Sequence, residues 1–357
     1  MPLTASVIVV TYSRPECLRK CLAALSAQTV KPVQMIVVDG SPNSNGRPIV
    51  ESFPEVTYLR NTSGHGRMTL SRNIGLFHAH GDIAAMIDDD AYAEPQWLQN
   101  VLETFATDPR IGGVGGRAIN STPEPDVPID QIGRIWPNGC LAANFHVDSG
   151  QPIEVDHIIG CNMSFRRDVL MKLGGLRDDF PGTEVGEDTD ISLRVHKLGY
   201  KLMFNPAACV FHVGAPHVIG RRFGLRYEYY HRHNNFILLL RNFGPGPIVW
   251  RYLARTSFLA IREAIRKTGN AVLRLLANFA GAATGIARGC LLILRDGRDP
   301  IRRRPIALPP GVHPGEDGAL PEDEPRVMQT KSFPGSNQPE ERGEDGEPTL
   351  SRPLSIP

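Results

Sequence analysis

Residues 5–11 (Ala-Ser-Val-Ile-Val-Val-Thr) and 34–39 (Gln-Met-Ile-Val-Val-Asp) are short β-branched runs without polar alternation, the pattern of strands covered on both faces. Between them, Arg14 to Gln28 opens with Pro15 and repeats apolar residues at Cys17, Leu18, Cys21, Leu22 and Leu25, which predicts a helix. The three pieces make a βαβ unit. Further strands are predicted at 55–60, 82–88, 111–119, 153–159, 201–205 and 208–213, with helices near 67–80, 94–107, 166–173 and 188–199. Alternation of this kind predicts an α/β fold with an open, mostly parallel sheet, whose ligands sit at the carboxyl ends of the strands.

The texture changes at about residue 219 to long helical patterns rich in Arg, and again at about 305 to a stretch with 11 Pro in 53 residues. Three parts are therefore expected: a catalytic domain over 1–218, a basic helical segment over 219–304, and a disordered Pro-rich acidic tail over 305–357. Charge follows the same division. The 39 Lys+Arg and 38 Asp+Glu of the 357 residues leave a net of only +1, but 1–218 carry −6, 219–304 carry +13 and 305–357 carry −6. The overall composition is that of a soluble globular chain. Six scattered cysteines, without a second close pair to complete a zinc site, read as buried thiols in a reducing compartment. The start runs straight into a strand pattern, so a cytoplasmic catalytic part is expected.

Gly113-Val114-Gly115-Gly116-Arg117-Ala118 fits the dinucleotide fingerprint, but it neither follows the first strand nor opens a helix, so a close-packed glycine strand is expected instead. More informative is Asp88-Asp89-Asp90, at the end of an apolar strand. Side chains alternate along an extended backbone, which puts Asp88 and Asp90 on one side as two hard oxygen ligands for Mg²⁺ or Mn²⁺ holding a diphosphate. A solvated turn fits the triplet equally when it is taken alone. At the same edge fall Thr11, with Tyr12 and Arg14 just beyond it, and Asp39. Ser71-Arg72-Asn73-Ile74-Gly75 lies on the helix that feeds the Asp88 strand, where Arg72 can hold carboxylates or phosphates in a fixed fork. Glu187 and Asp188 precede a helix, as N-terminal caps or as a general base facing the cleft. His212 ends an apolar strand, as a core residue or as a third metal ligand beside Asp90.

In this order and spacing the pieces resemble the family 2 glycosyltransferases, inverting enzymes of the Rossmann-like GT-A fold, over about residues 4–240. The resemblance rests on Ser6 to Thr11 with Tyr12-Ser13-Arg14-Pro15, Val38-Asp39-Gly40-Ser41, Ser71 to Gly75, the Asp88-Asp89-Asp90 triplet, Gly160-Cys161-Asn162-Met163-Ser164-Phe165-Arg166, and Gly186-Glu187-Asp188-Thr189-Asp190. It implies a nucleoside-diphosphate sugar donor and a glycan or lipid-linked acceptor. It also implies nucleobase recognition by Asp39, ribose or sugar contact by Asp88, a divalent metal on Asp90 with His212 assisting, and Asp188 as catalytic base. Thr11, Tyr12, Arg14, Arg72, Asn73 and Asp89 fall with the substrate-binding group. A sugar nucleotidyltransferase and a non-catalytic nucleotide-sugar scaffold are the alternatives, and the first lacks its glycine-rich basic loop after strand one.

In the basic segment, Arg251, Arg255, Arg262 and Arg266 fall within about 60° of one helix face, with Trp250, Leu253, Ala260, Ile261 and Ala264 broadly opposite. Leu275 to Ala287 is uncharged but shorter than the ~18–20 residues of a span. Peripheral contact with an anionic membrane, at the inner face of the plasma membrane, is the expectation. No nucleic-acid reading module accompanies the charge.

Overall fold

The two β-branched runs form β1 (Ala5–Thr11) and β2 (Gln34–Asp39), joined by α1 (Pro15–Ser26), which buries Leu18, Cys21, Leu22 and Leu25. The computed structural model describes residues 2–63, 67–122, 124–125, 127–214, 224–266 and 271–302, so the tail expected over 305–357 lies outside the described residues. A short α2 (Arg47–Val50) leads to β3 (Val56–Arg60), and α3 (Met68–His78) leads to β4 (Ile83–Asp88). There follow β5 (Ala91–Ala93), α4 (Trp97–Thr107), β6 (Ile111–Asn120) and the short strands β7 (Arg134–Ile135), β8 (Leu141–Ala142) and β9 (Ile153–Glu154). Then come β10 (Asn162–Arg166), α5 (Arg167–Lys172), α6 (Glu187–Lys197) and β11 (Lys201–His212). Three long helices follow: α7 (Leu225–Phe243), α8 (Pro247–Arg266) and α9 (Ala271–Asp296).

The main sheet runs β3-β2-β1-β4-β10-β6-β11-β5. It is parallel from β3 to β4 and between β6 and β11, with β10 antiparallel to both neighbours. As its pattern predicts, β1 is buried on both faces: Val7 and Val9 pack with Leu18, Leu22 and Trp97, whereas Ile8 packs with Leu70, Ile74 and Met86. The expected strand at 153–159 shortens to two residues, because Asp156 turns away to pair with Gly133 and Ile135 across the β7 loop. The two expected at 201–205 and 208–213 are one strand, bulged between Asn205 and Val210, where the Asn205 side chain bonds Thr104 and Ala207. The glycine run 112–116 lies in β6 as expected. A β-carbon at Gly113 would meet Leu202 at 2.6 Å and Phe165 at 2.8 Å, and one at Gly116 would overlap the Ala208 carbonyl, so these glycines serve close packing.

Met1–Ala319 forms one compact unit, so the change of texture at 219 falls within it. Helix α7 bonds α6 directly, Asn242 donating to Asp190 at 2.8 Å, and Arg241 pairs with Asp179 at 2.9 Å. After α9 the chain returns, with the Pro300 carbonyl accepting from Arg194 and the Arg302 amide donating to Leu173. Along the α7–α9 seam, Gly281, Gly285 and Gly289 meet Tyr229, His233 and Leu240. A β-carbon on Gly285 would lie 2.5 Å from the His233 carbonyl oxygen and 2.9 Å from its Cα. In an open helix Gly→Ala gains about 1 kcal/mol; here we expect Gly285→Ala to lose about 1–3 kcal/mol by overpacking. Thermal unfolding decides the sign, and a raised midpoint would show the seam to be looser than described.

Candidate active site

Register alone brings the first carboxylates together. Thr11 pairs with Asp39 across β1–β2, and Val10 pairs with Asp88 across β1–β4, so all three residues reach one sheet edge. The chain turns at Asp89-Asp90 into β5, and β5 pairs antiparallel with β11, setting Ala91 opposite His212. One ligand atom from each of Asp88, Asp90 and His212 then lies within 4.8 Å of the others. The His212 Nδ1 faces Asn120 Oδ1 at 3.1 Å, which leaves Nε2 toward Asp90 Oδ1 at 3.5 Å. Two carboxylates and an imidazole lone pair at this spacing fit a divalent cation of the Mg²⁺ or Mn²⁺ kind.

Two arginines hold the acids. Arg14 spans Asp89 and Asp90, with Nη2 2.5 Å from Asp89 Oδ1 and Nη1 2.9 Å from Asp90 Oδ2. Burial alone would lower its pKa, but Asp89, Asp90 and Asp88 outweigh burial and raise it. Asp89 points away from Asp88 and Asp90 into the fold, where it accepts from Thr11 at 2.6 Å and is fully buried. Burial pushes it up to about 7 against Arg14 and Thr11. Arg72, only 1% exposed, donates to Asp88 at 2.8 Å, to the Gly160 carbonyl at 2.9 Å and to Glu187. Its burial is overcome by Asp88, Glu187 and Asp188, which keep it charged. Burial, aided by Asp188, pushes Glu187 well above the usual carboxylate range against the pull of Arg72.

The adjacent acids at the start of α6 therefore have different surroundings. Gly186, at φ +102°, turns the chain into the helix. Glu187 is buried against Arg72, whereas Asp188 is only half-buried and accepts from the Gly160 amide at 3.0 Å and the Thr189 amide at 2.7 Å. The Gly160 residue thus connects both ends of the site, its carbonyl on Arg72 and its amide on Asp188. Nothing in the side-chain pattern announces this, since the contact is backbone. Sequence reasoning also passed over His157, buried beside Thr189, where burial lowers its pKa. Asn162 was likewise overlooked as a brace, accepting from Trp97 and donating to Arg117 and Ala208.

Other expected residues are placed more deeply. Asp39 is fully buried and accepts from the amides of Ser41 and Gly46 and from the Tyr58 hydroxyl, so it shapes the loop after β2. Asn73 is fully buried and exchanges both amide bonds with the Leu176 backbone, bracing α3 against that turn. Tyr12 is half-buried beside Ser13, whose φ of +54° directs its amide to Ser41 at 2.8 Å.

Residues 6–174 match the model of Glycosyl transferase family 2. The chain is 29% identical over 229 residues to glucosyl-dolichyl phosphate glucuronosyltransferase of Haloferax volcanii, covering 59% of this chain and 69% of that one. It is 26% identical over 300 residues to N-acetylglucosaminyl-diphospho-decaprenol L-rhamnosyltransferase of Mycobacterium tuberculosis, covering 76% and 97%. The fold is similar to the crystal structure of GalNAc-T7 with UDP, GalNAc and Mn2+, with TM-score 0.52 and 17% identity over 78% of this chain and 55% of that one. The strand edge carrying Thr11, Asp39 and Asp88 thus lies in a GT-A-type sheet, within the residues 6–174 that match Glycosyl transferase family 2.

Proposed function

We propose that the protein transfers a sugar from a nucleoside-diphosphate donor to an acceptor hydroxyl with inversion at the anomeric carbon. The observation that carries this reading is the Asp88–Asp90–His212 cluster joined through Arg72 and Gly160 to half-buried Asp188. Asp188 takes the proton as the acceptor oxygen bonds to the sugar carbon, while the bond from that carbon to the diphosphate breaks and the nucleoside diphosphate leaves. One base attacking opposite the leaving group gives inversion. Arg14 and Arg72 fix the carboxylates beside the leaving diphosphate, and Glu187 holds the Arg72 fork. Asp88, Asp90 and His212 would hold Mn²⁺ or Mg²⁺, which supplies charge neutralisation for the diphosphate. Two of the relatives are named for lipid-linked substrates, which supports a lipid-linked glycan or other glycan acceptor.

Nucleoside-diphosphate release from a panel of UDP-, GDP- and dTDP-sugars, with and without Mn²⁺, tests the reading. Chelation is expected to remove release and Mn²⁺ to restore it, with Asp90→Asn shifting the Mn²⁺ requirement upward by about tenfold or more. Release that continues at an unchanged rate after exhaustive chelation would remove the metal from the proposal.

A further inference from the structure

Helices α8 and α9 each leave one long face uncovered. On α8 the inner face is Val249, Tyr252 and Thr256, buried beneath α7 and α9. Leu253, Ala260 and Ala264 also turn inward, so the sequence grouping of these three with Trp250 and Ile261 divides between two faces. Exposed instead are Trp250 (56%), Phe258 (64%), Ile261 (44%) and Ile265 (80%). At about 100° per residue these four fall within an arc of about 80°. Arg251, Arg255 and Arg262, all exposed, occupy the next ~40° around the helix.

The same construction repeats on α9. Its glycine seam faces α7, and Val272, Leu273, Leu276, Phe279, Leu291 and Leu294 are exposed on an opposite arc of about 120° that runs the length of the 26-residue helix. Exposed Arg288 stands beyond the far edge of that arc. The groove between the helices is lined by Thr256, Ser257 and Ala260 from α8 and by Asn278, Phe279 and Ala282 from α9, together with Arg232 of α7. Ser257 and Ala260 on α8 and Ala282 on α9 lie between the buried face and the exposed apolar arc, and Phe279 begins the α9 arc. The two arcs therefore open outward from a common groove into one apolar surface, with arginines beyond its outer edges.

We infer that this surface docks in the plane of a membrane leaflet rich in anionic lipid. Charge selects the occupant. Residues 219–304 carry a net +13, and α8 and α9 contain only two acids, Glu263 and Asp296, of which Asp296 is engaged by Arg241 and Arg295. A two-fold contact with a second copy would set arginine stripe against arginine stripe, with Glu263 as the one exposed α8 or α9 carboxylate among the described residues to answer them. By length and composition α9 could cross a membrane. It packs along α7, however, whose Arg232, His233, Asn234 and Asn235 would have to enter the hydrocarbon with it, at a cost that in-plane docking avoids. Arginine at the border of an apolar arc is the arrangement that buries carbon among acyl chains and leaves guanidinium groups at the phosphates. The inference does not depend on the reaction proposed above. It does bear on it, because Asn242 of α7 is bonded to Asp190 of α6, so docking would fix the catalytic helix relative to the leaflet.

The test is co-sedimentation of the full chain with phosphatidylcholine vesicles, with and without phosphatidylglycerol, at low and high salt. Binding is expected to need the anionic lipid and to weaken with salt. The pair Ile265→Glu and Leu294→Glu, both at more than three-quarters exposed positions, should cut binding by about tenfold or more while leaving the thermal midpoint unchanged. Arg251→Gln with Arg255→Gln should erase the preference for anionic lipid, and Trp250 emission should shift blue on binding. Failure to pellet with anionic vesicles at low salt would overturn the inference. So would a stable dimer broken by the same glutamates, or a vesicle-bound form that resists alkaline carbonate extraction.

Discussion

Asp188→Asn is expected to reduce sugar transfer by about 10²–10⁴-fold while donor binding persists. A base must be open to solvent to meet an acceptor, and of the two adjacent acids opening α6 only Asp188 is partly exposed. Its carboxylate rests on two backbone amides, Gly160 and Thr189. Asparagine keeps one acceptor oxygen for one of them, so the expected loss of stability is about 1 kcal/mol, the scale of one hydrogen bond. Glu187→Gln is the informative contrast. It touches no solvent-facing position and acts through Arg72, so its effect should appear in donor affinity and thermal midpoint together with rate. The measurement is single-turnover transfer beside calorimetric titration of the donor. Normal turnover in Asp188→Asn would move the base elsewhere, and lost donor binding would make Asp188 a structural cap.

The fold was legible where burial is uniform. Val7 to Val10 and Met35 to Val38 are covered on both faces, so apolar composition alone marked them as strands. β10 was less legible because its segment mixes Asn162 and Ser164 with apolar residues, and specific hydrogen bonds that Asn162 donates to β6 and β11 and accepts from Trp97 make the polar position compatible with burial. Alternation placed Asp88 and Asp90 on one side, and they do lie together with His212; the turn at Asp89-Asp90 sends the middle carboxylate to Thr11 and Arg14. What the sequence could not display was contact made by backbone, as at Gly160, or by distance along the chain, as between Arg72 and Glu187, 115 residues apart. The outward face of α8 was only partly legible for a related reason. Periodicity gives angles around a helix, but which arc meets α7 is decided by α7.

Arg72→Met should be the most destabilising of the substitutions considered, costing about 3–5 kcal/mol, because one buried guanidinium serves Glu187 and the Gly160 carbonyl, both buried, and part-buried Asp88. Removing it leaves Glu187, 3% exposed, beside Asp188 and Asp88 with no cation in contact. Glu187, already raised by burial, would then take up a proton, so the variant's deficit is expected to deepen as pH rises and deprotonated Glu187 is forced into the fold. The midpoint should fall by about 6–10 °C near neutral pH. Arg72→Lys should rescue little, since a single ammonium cannot reach Glu187, Asp88 and the Gly160 carbonyl in one fixed plane. Adding Glu187→Gln to Arg72→Met removes the stranded charge and should recover part of the midpoint without recovering transfer, because the Asp88 carboxylate still lacks its guanidinium partner. Equal midpoints for Arg72→Met and the parent chain would show that Glu187 is already neutral and that Arg72 serves the substrate alone.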